Sequence, residues 1–185
     1  MNRCWWCRGD ALYEQYHDEV WGREEHDDRV LFEMLSLELF QSGLSWITVL
    51  RKRENFREAF AHWDVAAIAA FDESKQARLM EDKGIIRNRK KIAAVINNAR
   101  LVPDIVAAFG SFDRYVHGFR PRERAVPKGG FRRESLPLLI DEAKSMSKDM
   151  KKRGFRFTGP MVCMSFMQAV GIINDHVHGC DLCPF

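Results

Sequence analysis

The sequence predicts an all-α protein. Apolar residues recur at three- and four-residue spacing along most of the chain, and the segments they define open on capping residues or proline and close on glycine. No stretch alternates apolar and polar residues as a half-buried strand does. With 185 residues, no internal repeat and no long linker, the chain is expected to form a single domain over 1–185.

The elements follow in order. Asp27-Asp28 starts a helix carried by Val30, Leu31, Met34, Leu35 and Leu37, interrupted by Glu38, continued by Leu39-Phe40-Gln41 and ended by Gly43. Ser45 caps a second helix running through Trp46, Ile47, Val49, Leu50, Phe56 and Phe60, whose face Arg51-Lys52-Arg53-Glu54 is expected to be solvated. Asp64 and Glu73 open short helices, Asp82-Lys83-Gly84 makes a turn, and a long helix then ends near Arg100 because Pro103 must break or kink it. Ser111 or Asp113 restarts a short helix. Residues 118–134 form a basic loop with Arg120, Arg122, Arg124, Lys128, Arg132 and Arg133. Pro137 to Arg153 is an amphipathic helix stopped by Gly154, and Pro160 takes the first position of a buried helix to Val170.

At 46% hydrophobic and 30% charged residues, the composition is that of an ordinary globular domain, and a net charge of +3 permits nucleic-acid binding without arguing for it. No apolar run approaches the ~20 residues of a membrane span, and Met1-Asn2-Arg3 runs straight into Cys4 without a secretory leader. A cytoplasmic protein with reduced thiols is expected, in which paired cysteines favour a metal over a disulfide.

Both ends carry metal-binding residue types. Cys4 to Gly22 packs Cys4, Cys7 and His17 among Trp5, Trp6, Tyr13, Tyr16 and Trp21, and the other end carries His176, His178, Cys180 and Cys183. Two ligand sets compete. One is the pair of Cys-x-x-Cys units, Cys4, Cys7, Cys180 and Cys183; the other is Cys4, His17, His176 and Cys180. Either makes a closed tetrahedral site suited to structural zinc, and spacing alone favours the four cysteines. The alternative is free thiols and surface histidines with no metal.

Residues 148–170 read as a helix–hairpin–helix. A basic helix end (Lys151, Lys152, Arg153) is followed by a turn bracketed by Gly154 and Gly159, then by a new helix start. Such a turn offers backbone N–H groups to a DNA phosphate. A plain helical hairpin with solvated lysines is the competing reading.

Taken together the motifs resemble the 3-methyladenine DNA glycosylase I family, bacterial base-excision repair enzymes of the helix–hairpin–helix superfamily. The resemblance is carried by Tyr16-His17-Asp18, Trp21-Gly22, Leu37-Glu38, Gly43 to Leu50, Gly84 to Arg87, Lys151 to Phe155, Ser165 to Ala169 and Asn174 to Val177. It implies the mixed zinc set Cys4, His17, His176 and Cys180, leaving Cys7 and Cys183 spare. It also implies extrusion of an N3-methylated adenine from double-stranded alkylated DNA into a pocket, a cost of about a few kcal/mol. Glu38 would be the catalytic pocket acid, with Tyr16, Trp46, Trp6, Tyr13 and Trp21 around the cationic base. In strand-cleaving superfamily members a lysine follows the hairpin glycine. Pro160 and Met161 stand there in this chain, so hydrolysis without strand cleavage is expected. Asp175 falls near the superfamily's catalytic aspartate, and supporting a zinc ligand or capping a helix is the role expected of it. The chain departs from the family at Val20 and at Leu39-Phe40, whose size beside Glu38 is expected to narrow the pocket. The expected state is a monomer in the bacterial cytoplasm, acting at the nucleoid, with no nucleotide cofactor. An inactive zinc-stabilised DNA-binding module is the competing function, and a purely structural or protein-interaction domain is a third.

Overall fold

The computed structural model describes residues 1–185. The chain is helical throughout, without a strand, as the spacing predicts. Ten α-helices follow in order: α1 Ala11–Glu19, α2 Asp28–Gln41, α3 Trp46–Leu50, α4 Arg53–Ala59, α5 Val65–Ala69, α6 Glu73–Glu81, α7 Arg89–Phe109, α8 Phe112–His117, α9 Asp141–Lys152 and α10 Pro160–Ala169.

Helix α2 is the centre. Every residue from Leu31 to Phe40 is buried, and α10, α8 and α3 pack around it. Asp27 caps it, its Oδ1 accepting from the backbone N–H of Arg29 (2.8 Å) and Val30 (3.1 Å). The buried acid Glu33 inside it is matched from outside. Arg53 donates to Glu33 at 2.6 Å, joined by Arg57. At the C-terminal end, the buried Lys91 amine donates to the carbonyls of Phe40 (2.8 Å) and Ser42 (2.6 Å), which have no partner within the helix.

Pro103 does not end α7, which runs on to Phe109 and closes on Gly110 in the left-handed region at φ 92°. The ring lies on the exposed face, so only the Ala99 carbonyl loses its bond. The apolar stripe Ile92, Ile96, Ala99, Val102 and Ile105 stays buried across the proline. Burying such side chains contributes about 1.5–3 kcal/mol each, enough to offset a defect of about 3 kcal/mol. The most apolar 18 residues of α7 have a mean hydropathy of 1.4, enough by length and composition alone to cross a membrane, but Arg100 and Asp104 interrupt them, so no unbroken apolar run approaches a span. In this fold it packs against α5, α6, α8 and α2.

The expected helix from Ser45 to Phe60 is two. Lys52 leaves helical geometry (φ −105°, ψ 4°) because its amine reaches across to the carbonyls of Lys83 (2.9 Å) and Gly84 (3.1 Å). Lys52 and Arg53 are thus half-buried and engaged rather than solvated. Ser45 gives no cap bond, its hydroxyl pairing with that of Thr48 instead. Helix α9 begins at Asp141, one turn later than expected from Pro137.

The turn between α9 and α10 is tied to α7. Asn98, buried, grips Arg156 with both amide atoms, Nδ2 to its carbonyl (3.0 Å) and Oδ1 from its N–H (2.8 Å). Asn97 donates to the Gly154 carbonyl, and the Ser147 hydroxyl to that of Thr158. Past α10 the chain turns at Gly171 (φ 69°), where a Cβ would meet the Arg23–Glu24 backbone at 2.4–2.6 Å. That contact brings the two ends of the chain together.

Candidate active site and metal centre

The residues expected around a base converge on one cavity of about 180 Å³. Trp6 comes from the turn Trp5–Cys7, Tyr13 and Tyr16 from α1, Trp21 from just beyond it, Trp46 from α3 and Glu38 from α2. Their rings brace one another, with centroids 5.1 Å apart for Trp6–Tyr13, 5.0 Å for Trp6–Trp21 and 5.3 Å for Tyr16–Trp46. The Tyr16 hydroxyl and the Trp46 indole N–H are buried without a partner in the protein.

Glu38 is 5% exposed, and burial pushes its carboxyl up to about 8. No basic side chain lines the cavity with it. The carboxyl is therefore mostly neutral at pH 7, and a cation entering the cavity would bring it to the charged form. Burial, followed by the nearness of Glu38, raises Tyr16 well above its ordinary value, so it is a donor.

Sequence reasoning missed the remaining lining residues, Gln41, Ser165 and Gln168. The signal was present in helical spacing. Gln41 lies one turn beyond Glu38, and Ser165 and Gln168 are three apart in an otherwise apolar α10. The expected narrowing by Leu39 and Phe40 does not occur. Both are fully buried on other faces of α2, Phe40 against Phe56 (4.5 Å) and Phe60 (5.8 Å).

Next to the aromatic wall, Cys4, His17, His176 and Cys180 place one ligand atom each within 4.8 Å of one another, all four residues buried. Cys4 Sγ lies 3.7 Å from His176 Nδ1, and Cys180 Sγ lies 3.5 Å from both His176 Nδ1 and His17 Nε2. Zn–S bonds of about 2.3 Å and Zn–N bonds of about 2.0 Å at the tetrahedral angle require S···N edges of about 3.5 Å, so the four fit such an ion. Burial lowers His176 to about 4, keeping it neutral as a ligand must be. Asp18 holds His17 Nδ1 at 2.8 Å, and the Trp21 carbonyl lies 3.3 Å from His176 Nε2, leaving the other ring nitrogens to the cluster. The four-cysteine set favoured by spacing is not assembled. The turn Trp5–Cys7 directs the Cys7 thiol to the Cys4 carbonyl (3.2 Å), and Cys183 meets the Gly129 carbonyl.

The basic residues divide. Lys151 and Lys152 are exposed at the end of α9, and α10 opens at Pro160, after Gly159, with no side-chain cap on its first amides. Gly154 takes φ 93°, whereas Gly159 has an ordinary φ of −67°. Arg153 is turned onto Asp149 (2.6 Å) and over the Phe109 ring (4.8 Å). In the 118–134 loop, Arg120 pairs with Glu24, and Arg124 with buried Asp175; beyond Phe131, Arg133 lies over Trp5. These arginines hold the fold, which leaves fewer cations to a phosphate backbone than the sequence suggests. Asp175 itself does not line the cavity; its Oδ2 accepts from Gln168 at 2.7 Å.

The all-helical frame is shared with solved DNA glycosylases. A structure of 3-methyladenine DNA glycosylase I superposes with a TM-score of 0.92 at 44% identity, covering 98% of this chain and 100% of that one. A variant of 3-methyladenine DNA glycosylase I in complex with 3-methyladenine matches with a TM-score of 0.92 at 33% identity, over 100% and 99% of the two chains. DNA-3-methyladenine glycosylase 1 of Escherichia coli K12 is 45% identical over 184 residues, 100% of this chain and 98% of that one. Residues 6–183 match the methyladenine glycosylase family. The chain belongs to that family.

Proposed function

We propose that the protein hydrolytically releases N3-methyladenine from alkylated duplex DNA and leaves the strand intact. The observation that carries this reading is Glu38, a buried carboxyl without a cationic partner inside an aromatic cavity. N3-methylation makes the nucleotide's base cationic. Among the rings its charge gains about 2 kcal/mol from cation–π contact, and it draws Glu38 into the carboxylate form. A neutral base meets only a neutral acid there. Relatives with this fold are named for 3-methyladenine, and one is a complex with that base.

Binding requires the nucleotide to leave the stack, with Lys151, Lys152 and the uncapped start of α10 suited to holding the phosphates flanking it. The C1′–N9 electron pair then departs with the base, cancelling its positive charge, so the base leaves neutral. Water adds to C1′ and gives up a proton, producing an abasic site. The cavity lining contains no lysine to form a Schiff base, in keeping with hydrolysis rather than strand cleavage. Cys4, His17, His176 and Cys180 would hold a zinc ion. Such an ion would tie the aromatic wall to the C-terminal segment, a structural rather than a catalytic role for four protein ligands. We take the protein to act as a monomer in the bacterial cytoplasm; the relatives it matches are bacterial.

The test is incubation of metal-loaded protein with methylated duplex DNA, with chromatography of the released bases and gel analysis of the strand. Free N3-methyladenine and a strand that breaks only on alkali treatment are expected. Folded protein that releases none would leave the inactive DNA-binding module as the reading.

A further inference from the structure

The two glutamines of the cavity are oriented by groups outside it. Gln41 donates through Nε2 to the Leu44 carbonyl at 2.8 Å, and Gln168 donates through Nε2 to Asp175 Oδ2 at 2.7 Å. The Leu44 carbonyl only accepts, and the Asp175 carboxyl, set between the donors of Gln168 and Arg124, is engaged as an acceptor, so neither amide can turn over without losing its bond. Asp175 is held in turn. It is 2% exposed, and its Oδ1 pairs with Arg124, which also donates to the Asn174 carbonyl. The remaining polar atom of the Gln168 amide, Oε1, belongs to a side chain that lines the cavity beside Glu38.

We infer that Asp175 is a positioning residue that fixes Gln168 as a hydrogen-bond acceptor, selecting a purine whose six-position bears an amino group over one bearing an oxygen. The inference rests on the reading that the cavity takes a methylated purine. At the six-position an amino group and an oxygen have nearly the same outline, so shape at that position separates them poorly. An acceptor facing an exocyclic amine gains a bond, whereas one facing an exocyclic oxygen leaves two buried acceptors in opposition.

The arrangement makes Asp175→Asn informative. Arg124 has only donors to offer, so the new amide must turn its oxygen to Arg124 and its nitrogen to Gln168. Gln168 then has to flip, giving its Oε1 to Asn and swinging Nε2 toward the cavity. A second change, Gln168→Glu in the same chain, accepts from that nitrogen with one oxygen and restores an acceptor with the other.

The experiment measures kcat/KM for release of N3-methyladenine and N3-methylguanine from one methylated duplex DNA, at equal metal content. Asp175→Asn is expected to shift the adenine-to-guanine ratio toward guanine by about tenfold, the effect of one buried hydrogen bond. The double variant is expected to return the ratio to near the wild-type value. Equal loss on both bases, or a double variant that does not recover, overturns the assignment. If Asp175→Asn fails to fold, Gln168→Met with Asp175 intact must itself lower the ratio, and an unchanged ratio overturns it equally. Wild-type protein that releases neither base refutes the underlying glycosylase reading instead, an outcome distinct from a variant that releases both without selectivity.

Discussion

Replacing Glu38 with glutamine removes a titration while nearly preserving shape, and the structure fixes the sign of the result. Burial holds the folded carboxyl near 8, whereas an unfolded glutamate titrates near its model value of 4.5. Between those values the folded state keeps a proton that the unfolded state has released, so wild-type stability falls as pH rises through the window. Glutamine has no such dependence. At about 1.4 kcal/mol per pH unit, Glu38→Gln should be more stable than wild type by about 3 kcal/mol at pH 7 and nearly equal to it at pH 4. For a chain of this length that is roughly 6–12 °C in melting temperature. The assay is thermal or urea unfolding of both metal-loaded proteins between pH 4 and 8.5, taking the difference so that shared titrations cancel. Base release should move the other way. A carboxylate about 4 Å from a cation gains about 4 kcal/mol at an effective dielectric of 20, against about 1.4 kcal/mol to remove its proton at pH 7. The net corresponds to a loss of roughly 50- to 100-fold in kcat/KM for the variant. A stability difference that stays flat with pH would refute the argument that Glu38 lies neutral in the empty cavity.

Other outcomes follow from the clasp, the base of α2 and the hairpin. Cys180→Ser should lose bound metal and melt at lower temperature, while Cys7→Ser keeps its metal, as read by metal analysis and calorimetry; the reverse result would reinstate the four-cysteine set. Lys91→Met leaves the Phe40 and Ser42 carbonyls without their donor, at a cost of about 1–3 kcal/mol in urea unfolding. Lys151→Ala with Lys152→Ala should weaken DNA binding alike on all sequences and reduce the salt slope of log K by about 2, provided both touch phosphates. An unchanged slope would exclude them.

The frame was legible wherever local chemistry decides. Asp27, Asp64 and Ser111 are caps as their residue types suggest, and Pro160 begins α10. Tertiary contacts overrode local signals elsewhere. The stripe on α7 is strong enough to carry a helix through Pro103, and Lys52 breaks its helix to reach two carbonyls remote in sequence. Helix α1 went unrecognised because its residues read as ligands and aromatics rather than as a periodic core, though Asp10 caps it. At the site, nothing in their spacing says that Trp6, Trp46 and Glu38 meet; the family resemblance supplied that. Gln41, Ser165 and Gln168 needed helix geometry to turn separate polar residues into one lining. The thiols show the limit of spacing as a guide, since a single helical turn decides which way Cys7 points.

The clasp joins residues that are far apart in the chain, with 172 positions between Cys4 and His176 and 163 between His17 and Cys180. Closing a loop of that length costs about 4–5 kcal/mol of chain entropy before any contact offsets it. Helices α2, α7 and α10 instead share a core cluster of 39 residues that the clasp's own small cluster does not enter. The expected folding order is the helical frame first and the clasp between the two chain ends last. Pulse-labelled hydrogen exchange during refolding would show early protection in α7 and α10 and late protection in α1, the late phase slowing when metal is scarce. Simultaneous protection would mean that the clasp closes with the frame. In this chain the join between the two ends is expected to be the last part to close.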